Sequence, residues 1–435
     1  MNVALKFTAA PLRLRPAPAT AGLIGLGVLM ALGISQGAVA QESGAAGAVS
    51  PSGDTQATSP YYIGASEGLS HESNVFRAPD GPQRSSDNIS TTTIFGGFDQ
   101  PISRQRLSVN GSVRRGMYQD NTDLNNTGYG LNANLAWETI NELSGNVSYS
   151  INQNLARYGF DSPVANFRGR NIEKSQELQG TARWGGRSLL SLEATGIHRK
   201  IDYSAPVYLS QEYSQDVGSL GVKYRPSSLL TVGAGLRLTR TTYPQAAGPN
   251  GTFGEDSFDS RNIDLTATYV YSGQSTFDGR LSFGKQDGSA TRNAFSGVTG
   301  YLGWGYRPTG KLSFNTYFSR DTGVNSAFIN FNGNQTAGIG DQSTVTNSYG
   351  VSANYLATAK VSVNAAARYT NRDLSNFSSG GSDSTSYLSL GTSYQASRVI
   401  QLGCNASYER HSTSNTGSFD YNANVFGCTA SITLR

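Results

Sequence analysis

LGVKYRPSSLLTVGAGLRLTR, residues 220–240, reads as two strands joined by a tight turn. Leu220, Val222 and Tyr224 alternate with Gly221 and Lys223, and then Arg225-Pro226-Ser227-Ser228 breaks the chain. After the break, Leu230, Val232, Ala234, Leu236 and Leu238 alternate with Thr231, Gly233, Gly235, Arg237 and Thr239. A period of two sends one set to each face of a strand, so one face is oily and the other wet. An aromatic ring stands beside the turn.

The same pattern extends in both directions, from about residue 61 to the end of the chain. It predicts eighteen strands near 61–72, 89–100, 104–118, 127–139, 143–158, 171–184, 188–203, 212–225, 229–243, 261–271, 275–286, 294–306, 311–321, 343–358, 360–372, 385–396, 399–409 and 421–434. Sixteen would result if two hairpins around 275–306 merged. Short connections such as Gln100–Ser103, Gly185–Arg187, Pro226–Ser228, Ser272–Gln274 and Pro308–Gly310 alternate with long ones at 73–88, 244–260, 322–342, 373–384 and 410–420. Such sorting is what an outer-membrane barrel requires, with short periplasmic turns and longer outer loops. The expected fold is therefore all-β, a transmembrane antiparallel barrel over 61–435. Aromatic residues recur at the turn-side end of the strands: Trp137, Trp184, Tyr224, Tyr271, Trp304, Tyr306, Tyr355 and Tyr394. Amphipathic rings prefer the headgroup level, which makes these a belt.

Composition agrees with a single large closed sheet. Among the 435 residues are 51 Gly and 23 Tyr, and only 15% are charged. Mean hydropathy is negative, because lumen and lipid residues cancel along each strand. The first 40 residues read as a secretory leader: Lys6, Arg13 and Arg15, an apolar core at Ala21–Ile34, and small residues at Ala38-Val39-Ala40. Residues 41–60 are small, polar and unpatterned, a periplasmic tail. Lys plus Arg number 34 against 30 Asp plus Glu, and the leader holds three of the basic residues and no acid. The remainder is close to neutral, which argues against a nucleic-acid partner.

The polar face cannot be a dry core, because unpaired buried amides and charges are costly. It predicts a water-lined lumen built from Asn110, Asn132, Asn134, Asn146, Arg183, Glu193, Arg237, Asp264, Asp278, Arg280, Asn315, Asn364 and Arg368. The three histidines, His71, His198 and His411, have no metal-ligand spacing, and no nucleophile–base motif accompanies them. No cofactor, metal or catalytic residue is expected, and the chain is expected not to be an enzyme. Cys404 and Cys428 share the parity of the apolar face; they are either a cross-strand disulfide or two lipid-facing thiols.

Pro60–Arg77 (PYYIGASEGLSHESNVFR), Phe98–Leu107 (FDQPISRQRL) and Tyr118–Gly145 together resemble the exopolysaccharide-biosynthesis outer-membrane proteins of the EpsL type, a branch of the beta-barrel porins. The resemblance implies a place in the Gram-negative outer membrane, with a polysaccharide and periplasmic export machinery as partners besides lipid. The function expected is a polar-lined conduit for exopolysaccharide. The alternative is a general or solute-specific diffusion porin. The final residues, Ile432-Thr433-Leu434-Arg435, depart from the aromatic ending common in outer-membrane barrels.

Overall fold

The computed structural model describes residues 59–158, 167–186, 188–247, 253–289, 294–322, 330–331, 334–335, 343–375, 380–414 and 419–435. The expected leader, and all of the expected tail except Ser59 and Pro60, lie outside these residues. The architecture below belongs to the unit Gly33–Arg435.

One antiparallel sheet of 18 strands closes on itself. Its strands are β1 (Tyr61–Glu72), β2 (Asp87–Ile102), β3 (Gln105–Tyr118), β4 (Asn126–Glu138), β5 (Leu143–Leu155), β6 (Ile172–Trp184), β7 (Leu190–Tyr203), β8 (Tyr213–Tyr224), β9 (Leu230–Ala247), β10 (Phe253–Ser272), β11 (Ser275–Gln286), β12 (Phe295–Thr309), β13 (Leu312–Asp321), β14 (Ser343–Leu356), β15 (Val361–Ser375), β16 (Gly380–Gln395), β17 (Ile400–Thr413) and β18 (Tyr421–Leu434). Each strand pairs with its neighbours in sequence. The seam joins Ile63–Glu72 of β1 to Val425–Leu434 of β18. Closure satisfies every backbone group within the sheet, the condition for a sheet to cross hydrocarbon. The merger to sixteen strands does not occur, because β11 and β12 pair along their full length, from Ser275–Tyr306 to Gln286–Phe295.

The short turns all fall at one end and the long loops at the other. Three outer hairpins differ from the sequence expectation. β9 and β10 continue pairing to Ala247 and Phe253, β15 and β16 to Ser375 and Gly380, and β17 to Thr413. On the β9–β10 hairpin the extension is not wet on both faces: Tyr243, Ala246 and Phe258 are buried there against Ile201 and Tyr213, so the oil-outside, polar-inside alternation is lost although the hydrogen bonds persist. The tight inner turns place Ser103 (φ 57°), Glu142 (φ 62°) and Gly185 (φ 74°) in the left-handed region that such turns require.

The two faces are sorted as hydrophobicity dictates. Leu220, Val222, Leu236, Leu238, Ile263, Leu265, Leu281 and Phe283 point outward and are exposed. At the turn end, Trp184, Tyr224, Tyr271, Trp304, Tyr355 and Tyr394 are exposed rings, while Trp137 and Tyr306 are half-buried. Phe277, Trp304 and Tyr306 stack in series, with centroids 6.0 and 5.4 Å apart. Trp137 lies over Gly145, its register partner, where an added Cβ would come within 2.6 Å of the indole. Cys404 and Cys428 are direct partners across β17 and β18 and are bridged, with Cα atoms 4.0 Å apart. One carboxylate breaks the apolar pattern. Glu67 faces outward between Ala65 and Leu69, and the Ser90 and Thr92 hydroxyls each donate to it at 2.6 Å.

Candidate functional site

The thirteen polar residues singled out from the sequence all carry inward parity on their strands. They form clusters rather than an even coat. On β3–β5, Tyr62 donates to Asn110 Oδ1 at 2.6 Å, Asn132 is the register partner of Asn110, and Asn146 donates to Asn134 at 3.0 Å. On β6–β8, Glu193 accepts from Arg183 and from Lys223, the latter at 2.8 Å. On β9–β13, Arg237 is held by Asp264 at 2.8 Å, and Arg280 by Asp321 at 3.1 Å. Asp278 is half-buried beside them. Asn315 faces Ser352 across β13 and β14. Asn364 is exposed and leans over Gly391, and Arg368 lies 5.4 Å above the Tyr387 ring.

Arg237, one of the residues predicted to line a wet lumen, is shielded from water. It is only 2% exposed, clamped between Asp264 and Ser282. The reason is electrostatic. A guanidinium held on a crowded inner wall loses water, and a carboxylate one strand away restores the balance. Further pairs of the same kind are Arg199 with Glu177 and Arg372 with Asp383. The wall therefore offers charges of both signs that largely neutralise one another.

The outer mouth is where the structure adds most to the sequence reading. Loop 73–86, between β1 and β2, folds inward instead of standing in solvent. Asn74, Val75, Phe76, Arg77 and Ala78 are all buried. Asn74 organises the turn: its amide donates to Ala78 O at 2.8 Å and to Asn422 O at 3.0 Å, and its Oδ1 accepts from Ala78 N–H. Arg77, with a left-handed φ of 53°, places its guanidinium between Glu72 on β1 and Glu409 on β17. Burial works against that charge, but the two carboxylates outweigh it and hold Arg77 above the ordinary arginine value. Arg157, two residues beyond the end of β5, reaches Glu409 as well, and Tyr421 donates to the same carboxylate at 2.8 Å. The loop bearing Arg157 springs from β5, about a third of the circumference away from β17. Its ion pair therefore spans a chord of the mouth. Rings back this contact: Phe76 of loop 73–86 meets Tyr158 edge-on at 5.2 Å, and on the β6–β8 side Phe167 meets Tyr208 at 5.5 Å.

None of Glu72, Arg77, Arg157, Glu409 or Tyr421 stood out in the sequence. Inner parity at a strand's outer end could have flagged Glu72 and Glu409; nothing local marks Arg157. The histidines are scattered. His71 and His198 face outward, with Asn88 and Asp216 as partners at 2.9 and 2.7 Å, whereas His411 is buried inside beside Thr385.

A family model described as "Putative beta-barrel porin 2" matches residues 319–434, the stretch from the end of β13 through β18. Solved structures similar to this chain include the outer membrane protein OpdK of Pseudomonas aeruginosa, at 12% identity over 86% of this chain and 99% of that one, with a TM-score of 0.48. OpdO of the same organism is 13% identical over 86% and 97%, with a TM-score of 0.46. OccAB3 of Acinetobacter baumannii is 10% identical over 86% and 98%, with a TM-score of 0.45. No curated protein matches the chain. The closed 18-strand sheet and its apolar outer face make the molecule a β-barrel of the Gram-negative outer membrane, porin-like in fold.

Proposed function

We propose that the barrel is a passive channel for small polar solutes, narrowed at its outer mouth by loop 73–86 and by Arg157 and Tyr158. The observation that carries this reading is the chordal ion pair from Arg157 to Glu409, with Arg77 beside it. A mouth crossed by buried ion pairs and rings admits small solutes and obstructs broad ones. Mixed charge on the wall gives no dominant ring of one sign, so solutes are sorted by size and hydrogen bonding more than by charge. Planar-bilayer recording tests this. The wild-type channel should give a small, steady conductance, and removal of residues 74–80 should enlarge it. An equal conductance in both would overturn the reading.

A second reading is exopolysaccharide export, with a polysaccharide and periplasmic machinery as partners. A specific observation favours it: the resembling stretch Pro60–Arg77 contains Glu72, Asn74, Phe76 and Arg77, which build the constriction. On this reading the loops part for a polymer chain. A deletion strain should then keep making polymer while displaying less of it at the cell surface. Unchanged surface polymer would sink this alternative and leave the first reading standing.

A further inference from the structure

We propose that the outer wall of β5–β10 binds a phosphorylated, multiply acylated glycolipid of the outer leaflet. The site is a groove of about 800 Å³ on the outside of the barrel, separate from the lumen. Its course follows the hydrogen-bond register. Val147 is opposite Gly180, Gly180 opposite Gly196, Gly196 opposite Gly218, Gly218 opposite Leu238, and Leu238 opposite Arg261. Strands lie roughly 4.8 Å apart, so this line is about 24 Å long. At Gly180, Gly196 and Gly218 an added Cβ would meet no atom within 4 Å, so the floor is bare backbone open to the outside.

The groove has two unlike sides. On the turn side runs an apolar ridge, Ala182, Ala194, Leu220, Leu236 and Ile263, again in register. On the loop side runs a polar ridge, in which His198 is hydrogen-bonded to Asp216 at 2.7 Å and Arg240 pairs with Asp259 at 3.0 Å. Those four groups answer one another. Arg261, at the end of the line, does not share in them, and no carboxylate partners it among the described residues. Its partner across β10 and β11 is Lys285, a like charge, whose nearest acid is Asp287 at 3.8 Å. Like charges placed directly opposite are destabilising unless an anion lies between them.

Bare floor, oily ridge and cationic end together match one kind of molecule. An acyl chain fills the glycine trough, where it recovers the contact that three missing side chains leave unmade. A phosphate meets Arg261 and Lys285, forming charge-assisted hydrogen bonds. These cations stand toward the long-loop end of their strands, hence at the outer leaflet, whose headgroups carry phosphate on a multiply acylated sugar.

Lipid retention tests the site. The full-length barrel is placed in nanodiscs of phosphatidylcholine doped with lipopolysaccharide, with phosphatase-treated lipopolysaccharide, or with phosphatidylglycerol, and bound lipid is read by native mass spectrometry. The wild type should retain the phosphorylated glycolipid above the other two. Arg261→Ala should weaken retention roughly fivefold, the scale of one cation at a membrane surface. Gly196→Leu, which fills the trough with a side chain suited to the lipid face, should also displace the lipid. Heat-modifiable gel mobility, unchanged in both variants, shows that they fold. Equal retention of the three lipids, indifference to both variants, or a second copy of the chain held at this face would each overturn the proposal.

Discussion

Arg77 shows how much can rest on one side chain. It is buried, its backbone adopts a left-handed conformation, and two carboxylates converge on its guanidinium. Replacing it by alanine leaves Glu72 and Glu409 facing each other with Arg157 as the remaining counter-charge. Breaking a buried pair costs about 3–5 kcal/mol. That cost exceeds what a loop resting on a few contacts can bear, so loop 73–86 should be released while the barrel stays intact. Arg77→Ala is therefore expected to raise single-channel conductance and to make the loop a site of protease cleavage, with no change in folded gel mobility; a conductance equal to wild type would refute the pinning role. Glu67 presents the opposite case, a carboxylate on the lipid face whose two hydroxyl donors soften an unfavourable position. Carboxylates there cost less than the ~2–4 kcal/mol of a basic residue. Glu67→Leu should accordingly raise the urea midpoint of unfolding in lipid vesicles, and a lowered midpoint would point to a partner for that carboxylate.

Among the elements, the β17–β18 hairpin carries the only covalent cross-link, Cys404–Cys428, enclosing a separation of 24 residues. A bridge over a loop of that size contributes about 3 kcal/mol in the chain-entropy account. Cys404→Ser should lower unfolding stability by about that amount, and peptide mapping without reductant should recover the linked pair from the wild type. The β4–β5 hairpin offers a separate test. Gly145 lies under Trp137, and an added Cβ there would come within 2.1 Å of Thr181 O. Gly145→Val should cost roughly 1–3 kcal/mol by overpacking, measured as a fall in the same urea midpoint. These elements also show what the sequence could and could not reveal. Alternation exposed the strands because bilayer and lumen differ so sharply, as along Leu230–Leu238. It weakened beyond Arg240, where Thr241, Tyr243 and Ala246 are buried beside Tyr213 and Phe258 and the inner face is no longer a polar wall. Cys404 and Cys428 share the apolar parity of adjacent strands, so a bridge between them was one of the two readings the sequence left open, since a hairpin is local. The chord from Arg157 to Glu409 could not be, because 252 positions separate its ends. The glycine trough was hidden for another reason. Gly180, Gly196 and Gly218 are unremarkable singly and align only through the register of three strands.

For the whole molecule, the balance of charge on the inner wall has an electrical consequence. Arg183 and Lys223 with Glu193, Arg199 with Glu177, Arg237 with Asp264, Arg280 with Asp321 and Arg372 with Asp383 offset one another around the lumen. In a salt gradient the reversal potential should lie near zero, and a strong preference for cations or anions would contradict that wall. The seam between β1 and β18 bears on how such an object comes into being. Ile63 meets Leu434 there, so the first strand and the last complete each other. Until the C-terminal strand is present, β1 is an open edge, able to pair with any exposed strand. The chain must therefore wait, exported and unclosed, for its own final residues. Its vulnerable interval is set by the time to bring the two ends together, and a chain lacking β18 should accumulate as an aggregation-prone intermediate instead of a smaller barrel.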